Sequence, residues 1–150
     1  MVSSLCCVDM FTSAEQKFIQ HHRVGRLATA DATGVPHVIP VCFVCAANNI
    51  YITVDEKPKT SAPKTLKRLR NISENINVAM VVDEYDEDWS RLAWVLLRGH
   101  AKILANGNEH TLAQELLQGR YPQMLEMKLK SLPVIAVRLT KVTSWGNLNT

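Results

Sequence analysis

The chain has 150 residues, of which 47% are hydrophobic and 21% charged, and its formal net charge is +3. We expect one domain, residues 1–150, which is long enough to bury its own core. No apolar run reaches the roughly 18–20 residues of a membrane span, and the N-terminus MVSSLCCVDM lacks the pattern of a signal peptide, so a cytoplasmic protein without a membrane partner is expected.

The first half of the chain predicts one helix followed by three strands. Thr12 and Glu15 have the spacing of a capping box, which opens a helix that runs to about His22. The strands are predicted in the runs VGRLATA, VPHVIPVCFVC and NIYITV, residues 24–30, 35–45 and 49–54. Asp31–Gly34 is a turn between the first two, with glycine where a positive φ is cheap.

The second half predicts two helices and three strands. The helices span about Pro63–Glu74 and Glu109–Leu117; the strands span Asn77–Val82, Arg91–Leu104 and Pro133–Leu139, the last with a possible continuation at Val142–Trp145. Strands dominate and their connections are mostly short. The pattern therefore favours a mainly β (α+β) fold of about six or seven strands, with an antiparallel sheet curled into a barrel and a few flanking helices.

One segment concentrates positive charge. It carries Lys57, Lys59, Lys64, Lys67, Arg68 and Arg70, and no acidic residue lies between Glu56 and Glu74. In the predicted helix, Lys64, Lys67 and Arg68 fall opposite an apolar stripe, so this face is expected to be cationic. The N-terminus of a helix and nearby lysines suit a phosphate, which predicts an anion site for a phosphorylated small molecule.

Two alternatives remain for this segment. It can be a solvated helix face that keeps the protein soluble. It can also bind nucleic acid, which the short patch and the lack of interleaved aromatic residues disfavour, so no nucleic-acid partner is expected. The glycine patterns of P-loops and dinucleotide-binding folds are absent from the sequence.

Longer runs resemble the pyridoxamine-phosphate-oxidase-like split β-barrel superfamily. These runs are RVGRLATADATGVPHVIPVCF, IYITVDEKPK and LKRLRNISENINVAMVVDEYDEDWSRLAWV, and the resemblance covers roughly Phe18–Trp145. The order and spacing of VGRLAT, PHVIPV, DEKPK, LKRLRNI and YDEDWSRL are most similar to the branch of flavin/deazaflavin oxidoreductases. The resemblance implies a homodimer of split barrels with cofactor sites between the subunits. The cofactor would be FMN or the deazaflavin coenzyme F-420.

The resemblance also implies positions for the cofactor site. The ring would lie along the strand that contains His37, Val38, Ile39, Pro40 and Val41. Thr53 and Asp55 would lie near the ribityl chain, the phosphate would contact Lys57, Lys59, Lys64 and Arg68, and Trp94 or Trp145 would reach the ring from the partner subunit.

The expected activity is hydride transfer between the reduced cofactor and a small organic acceptor. The cofactor supplies this chemistry, so no catalytic dyad is required. His37 is the one candidate general acid, with packing in the groove as its alternative role. The arginine-rich substrate-phosphate motifs of true pyridoxamine-phosphate oxidases are not recognisable, so that activity is not assigned. The alternative function is a non-catalytic flavin- or haem-binding carrier or sensor on the same barrel.

No metal site is predicted. His21, His22, His100 and His110 show no ligand spacing. Cys42 and Cys45 form a CxxC, but on one predicted strand they would point to opposite faces of the sheet.

Overall fold

A computed structural model describes residues 10–54 and 66–149. The helices are α1 (Ser13–His21), α2 (Lys67–Glu74) and α3 (Asn108–Arg120). The strands are β1 (Gly25–Ala30), β2 (Pro36–Val41), β3 (Val44–Ala46), β4 (Asn49–Thr53), β5 (Asn77–Glu84), β6 (Ala93–Leu104) and β7 (Val134–Gly146). Short 3-10 helices lie at Trp89–Arg91, Pro122–Glu126 and Leu129–Ser131.

All seven strands belong to one antiparallel sheet, in the order β2-β1-β5-β6-β7-β4-β3. Its two edge strands, β2 and β3, are separated by only Cys42 and Phe43. Two residues cannot span a flat seven-stranded sheet, because neighbouring strands lie about 4.8 Å apart. The sheet therefore curls until its edges approach each other. This confirms the predicted fold class, and it also confirms that the last strand continues to the tryptophan at position 145.

The single strand predicted for residues 35–45 is wrong, because it breaks at Cys42 and Phe43. The Phe43 side chain is fully buried in the main core. Its backbone N–H donates to the Tyr121 phenol oxygen at 3.1 Å, and the phenol lies 2.9 Å from the Phe43 carbonyl oxygen. A side chain from the end of α3 thus replaces a neighbouring strand as the hydrogen-bonding partner at this corner.

Helix α1 begins as predicted. The Glu15 backbone N–H donates to the Thr12 hydroxyl at 3.1 Å, and the Thr12 backbone N–H donates to the Glu15 carboxylate at 2.8 Å. Both hydrogen bonds of a capping box are therefore present.

Helix α2 differs from its prediction at its start and in its orientation. It begins at Lys67 and not near Pro63, because Leu66 has an extended ψ of 144°. The sequence predicts Arg68 on the cationic face opposite the apolar stripe, but in the structure Arg68 is buried, together with Asn71 and Ile72. These three positions follow the i, i+3, i+4 spacing of one helix face, so that face packs inward.

The core has two parts. The main cluster fills the curled sheet and includes Phe18, Leu27, Phe43, Val95 and Ile135. A second cluster lies between α3 and the outer side of β4 and β7. Within residues 10–54 and 66–149, none of the helices combines the length and apolarity that crossing a membrane would require.

Candidate functional site

A cleft of about 220 Å³ opens beside strand β2. The described residues that line it are Val24, Ile39, Pro40, Val41, Cys42, Thr53 and Arg68. They come from the segment before β1, from β2 and the corner after it, from the end of β4, and from α2. The walls are mostly apolar, and Arg68 is the charged member among these lining residues.

Arg68 is the most informative residue of the cleft. It is only 5% exposed, and its Nε is buried without a hydrogen-bond partner. Among the residues that the structure describes, none forms an ion pair with it. A guanidinium group stays charged in proteins, and burying a charge is costly unless an anion or hydrogen bonds compensate it. The cleft thus contains a buried cation that has no anionic partner among the described residues.

The Thr53 hydroxyl is oriented by a neighbour behind the cleft. Gln114 Nε2 lies 3.0 Å from Thr53 Oγ1, 2.9 Å from the Leu129 carbonyl oxygen and 3.2 Å from the Leu132 carbonyl oxygen. Two carbonyl acceptors identify this end of the amide as the NH₂ group. Thr53 therefore accepts from Gln114, which leaves its own proton available to donate to a ligand.

The cleft brings together five of the residues predicted for the cofactor site. Ile39, Pro40, Val41, Thr53 and Arg68 all line it. The predicted positions Asp55, Lys57, Lys59 and Lys64 lie outside the described residues.

The other predicted positions lie elsewhere. His37 is on the same face of β2 as Ile39, nearer the turn, and is not among the described lining residues. Val38 is 61% exposed on the opposite face. Trp94 lines a separate groove on the outer side of the sheet, and Trp145 is its register partner on β7.

Three residues of this region were not predicted from the sequence. Val24 and Cys42 line the cleft, and Gln114 orients Thr53. In the sequence, Val24 and Cys42 resemble ordinary strand residues. No residue type in the apolar run indicates that the strand breaks after β2. Gln114 carries a weak signal, because it is a glutamine on the buried side of the predicted amphipathic helix α3.

Metal ligands do not cluster in the part of the chain that the structure describes. No group of three or more His, Cys, Asp or Glu side chains is positioned there to hold an ion.

Comparison with known proteins places the chain in a family. The family profile described as "Pyridoxamine 5'-phosphate oxidase" matches residues 11–146. A 5a,11a-dehydrotetracycline/5a,11a-dehydrooxytetracycline reductase of Streptomyces rimosus is 31% identical over 98 residues. The aligned stretch covers 65% of this chain and 66% of that reductase, just under two thirds of its length.

Solved structures share the fold at low sequence identity. The haem storage protein HutZ of Vibrio cholerae has a TM-score of 0.69 at 15% identity, and the match covers 87% of this chain and 89% of HutZ. A haem-binding protein of Mycobacterium smegmatis has a TM-score of 0.71 at 18% identity, with 95% of this chain and 57% of that chain covered. The family profile, which spans most of the chain, identifies this protein as a member of the pyridoxamine 5'-phosphate oxidase family.

Proposed function

We propose that the protein is an oxidoreductase that binds FMN or the deazaflavin coenzyme F-420 in the cleft beside β2. The carrying observation is Arg68, a buried cation in a mostly apolar cleft with no ion-pair partner among the described residues. Both cofactors combine a flat ring with a phosphate, which matches apolar walls and a cation in one cleft. The reductase of Streptomyces rimosus, the relative with 31% identity, supports the same class of activity.

The residues of the cleft suit such a cofactor. Arg68 would form charge-assisted hydrogen bonds with the phosphate. Ile39 and Val41 would pack against the ring and exclude water from it. The Thr53 hydroxyl, which accepts from Gln114, would donate a hydrogen bond to a polar group of the ligand. When bound, the cofactor supplies hydride transfer, and the chain supplies position and a dry environment. We propose a small unsaturated or quinone-like molecule as the acceptor.

We propose further that a second copy of the chain completes the site. A cleft of about 220 Å³ is smaller than the roughly 300–1,000 Å³ of ordinary ligand pockets, so part of the cofactor would lie outside it. The sheet also carries a partly exposed apolar patch, the outer face, formed by the half-buried Ala28, Val81, Trp94 and Leu96 and the exposed Val38 and Trp145. A homodimer that packs through the outer face would cover this patch and would provide residues for the rest of the cofactor.

A second candidate function is a non-catalytic flavin or haem carrier. The structural likeness to haem-binding proteins favours it. None of the described lining residues of this cleft is a histidine, a common protein ligand of haem iron, but Cys42 lines it and cysteine also ligates haem iron in some proteins.

Anaerobic turnover separates an enzyme from a carrier. The protein is mixed with reduced FMN or reduced F-420 and with a panel of quinones and enones, and oxidation of the cofactor is followed by absorbance. An oxidoreductase oxidises the cofactor faster than the same mixture without protein. Binding of the cofactor without any acceleration by any acceptor would contradict the enzymatic proposal and favour the carrier.

A further inference from the structure

We infer that Tyr121, which lies outside the cleft, fixes the relative position of two neighbouring segments that line it, residues 23–24 and 42–43. The Tyr121 phenol oxygen is 2.8 Å from the carbonyl oxygen of Arg23. It also accepts from the Phe43 N–H at 3.1 Å and lies 2.9 Å from the Phe43 carbonyl oxygen. Arg23 directly precedes Val24, and Phe43 directly follows Cys42, and both of these neighbours line the cleft. One hydroxyl group, which accepts from the Phe43 N–H and faces the Arg23 carbonyl oxygen, therefore bridges the two backbones just beyond the β1–β2 ladder that ends at Gly25 and Val41.

Arg120 holds the bridging phenol in place. Its Nε donates to the Tyr121 oxygen at 3.1 Å, and its guanidinium carbon lies 5.0 Å from the centre of the Phe43 ring. Another nitrogen of this guanidinium donates to the carbonyl oxygens of Ile19 and His22. The end of α3 is thus fastened to the segment before β1 and to the corner after β2.

This arrangement matters because the bridge lies beyond the β1–β2 ladder, so strand pairing does not hold either backbone there. Phe43 lies between β2 and β3, and Arg23 lies between α1 and β1. Without the phenol, the N–H of the buried Phe43 would lose its hydrogen-bond acceptor, and buried backbone groups need partners. The phenol joins the two backbones with hydrogen bonds that a phenylalanine cannot make. Tyr121 is therefore a positioning residue, and its cofactor effect rests on the proposed function.

The test compares Tyr121→Phe with Tyr51→Phe. Both variants remove one phenol oxygen, but the Tyr51 hydroxyl donates to Glu109, away from the cleft. In the free protein, Tyr121→Phe should accelerate exchange of the Phe43 amide hydrogen about tenfold, because the amide loses its acceptor. Tyr51→Phe should leave that amide unchanged. Arg120→Gln, which keeps the phenol, should give a smaller change in the same direction and covers the case in which Tyr121→Phe fails to fold.

Cofactor binding gives the second readout. Tyr121→Phe should weaken binding of the preferred cofactor about threefold to tenfold and change its visible circular dichroism, as a displaced wall alters the environment of the ring. Tyr51→Phe should match the wild type in both. Unchanged Phe43 exchange would overturn the inference, and so would wild-type affinity and dichroism despite faster exchange. If the wild type binds neither cofactor, the proposed function fails. Exchange of the Phe43 amide alone then decides whether Tyr121 bridges the backbones of Arg23 and Phe43.

Discussion

Arg68 carries the functional argument at the scale of single residues. A buried arginine that has no anionic partner among the residues the structure describes is a rare arrangement, because the loss of hydration costs several kcal/mol. The free protein bears this cost, and a bound phosphate would relieve it. The residue should therefore weaken the fold and strengthen ligand binding at the same time.

Replacing Arg68 by methionine should separate these two effects. Methionine keeps much of the side-chain volume and removes the buried charge, so the melting temperature of the free protein should stay the same or rise. Affinity for the cofactor should fall by about tenfold to a hundredfold, as expected for loss of hydrogen bonds to a charged group. Calorimetry of the free protein and fluorescence titration with the cofactor measure the two quantities.

Arg70→Met is the matched control for this variant. Arg70 lies on the same helix but is exposed. Arg70→Met should change the melting temperature and the cofactor affinity only slightly. Equal affinity losses in both variants would indicate a general effect of helix charge and would contradict a specific role for Arg68.

The sequence predicts Arg68 as a binding residue, but it predicts the wrong side of α2 for its side chain. Leu66, Leu69 and Ile72 form an apolar stripe, which placed Arg68 on the solvated side. In the structure the helix starts at Lys67, and the inward face is centred on Arg68 and Asn71. Periodicity assumes that apolar residues face the core, and this assumption fails where polar side chains are turned inward, as for Asn71, whose amide donates to the Thr29 hydroxyl at 3.0 Å.

At the scale of elements, α3 is fastened to the sheet by a polar cluster. The Tyr51 hydroxyl donates to Glu109 Oε2 at 2.7 Å, and Arg138 donates to both oxygens of the Glu109 carboxylate, at 2.7 Å for Oε1. The Arg138 hydrogen bonds are the main cause that lowers the pKa of Glu109 to about 2. Burial and the hydrogen bond to Glu109 raise the pKa of Tyr51 to about 12.

The Glu109 cluster predicts a loss of stability in acid. Because the folded state lowers the pKa of Glu109, its contribution is complete above the ordinary value of 4.5 and is lost as the pH falls toward about 2. At pH 6, Glu109→Gln should lower the free energy of unfolding by about 1 kcal/mol, a modest value because the partly exposed pair is screened by water. The difference from wild type should shrink below about pH 4. Urea denaturation between pH 3 and 7 measures it.

Glu115→Gln provides the comparison on the same helix. Glu115 is exposed, and its removal should have little effect at any of these pH values. If the loss in free energy of unfolding caused by Glu109→Gln stays constant from pH 3 to 7, the charge of the Glu109 carboxylate does not hold α3 on the sheet.

Most elements could be predicted from the sequence, but the break between β2 and β3 could not. Capping at Thr12 and the β-branched run of β4 are local signals, and the structure confirms both. The break at Phe43 is not local, since it depends on the phenol of Tyr121, 78 residues away. Contacts of this kind do not appear in periodicity or turn propensity.

At the scale of the whole molecule, short connections between strands were sufficient to predict the curled sheet. The cleft could not be predicted in the same way. Its walls come from positions near 24, 39–42, 53 and 68, which meet only after the sheet has curled. Five of these residues are predicted for one site only through resemblance to a family, and the structure brings the same five together.

The proposed homodimer can be tested on the outer face. Val38 is 61% exposed at the edge of this face, and Val38→Glu would bury a charge in the interface. We expect the wild type to be a dimer at micromolar concentration and Val38→Glu to be a monomer with weakened cofactor binding. Sedimentation velocity measures the oligomeric state.

Leu125→Glu is the control for a charged substitution at an exposed apolar residue. Leu125 is 65% exposed on the 3-10 helix Pro122–Glu126 and does not belong to the outer face. It should leave the dimer intact. A monomeric wild type would contradict the homodimer, and a dimeric Val38→Glu would contradict the assignment of this face.

The most direct test of cofactor binding is an equilibrium titration of cofactor-free protein with FMN and, in parallel, with F-420. Quenching of tryptophan fluorescence reports binding. We predict saturable binding of one of them with one site per chain, and a clear preference identifies the physiological cofactor class. Absence of saturable binding by both would contradict the proposed role of the cleft and of Arg68.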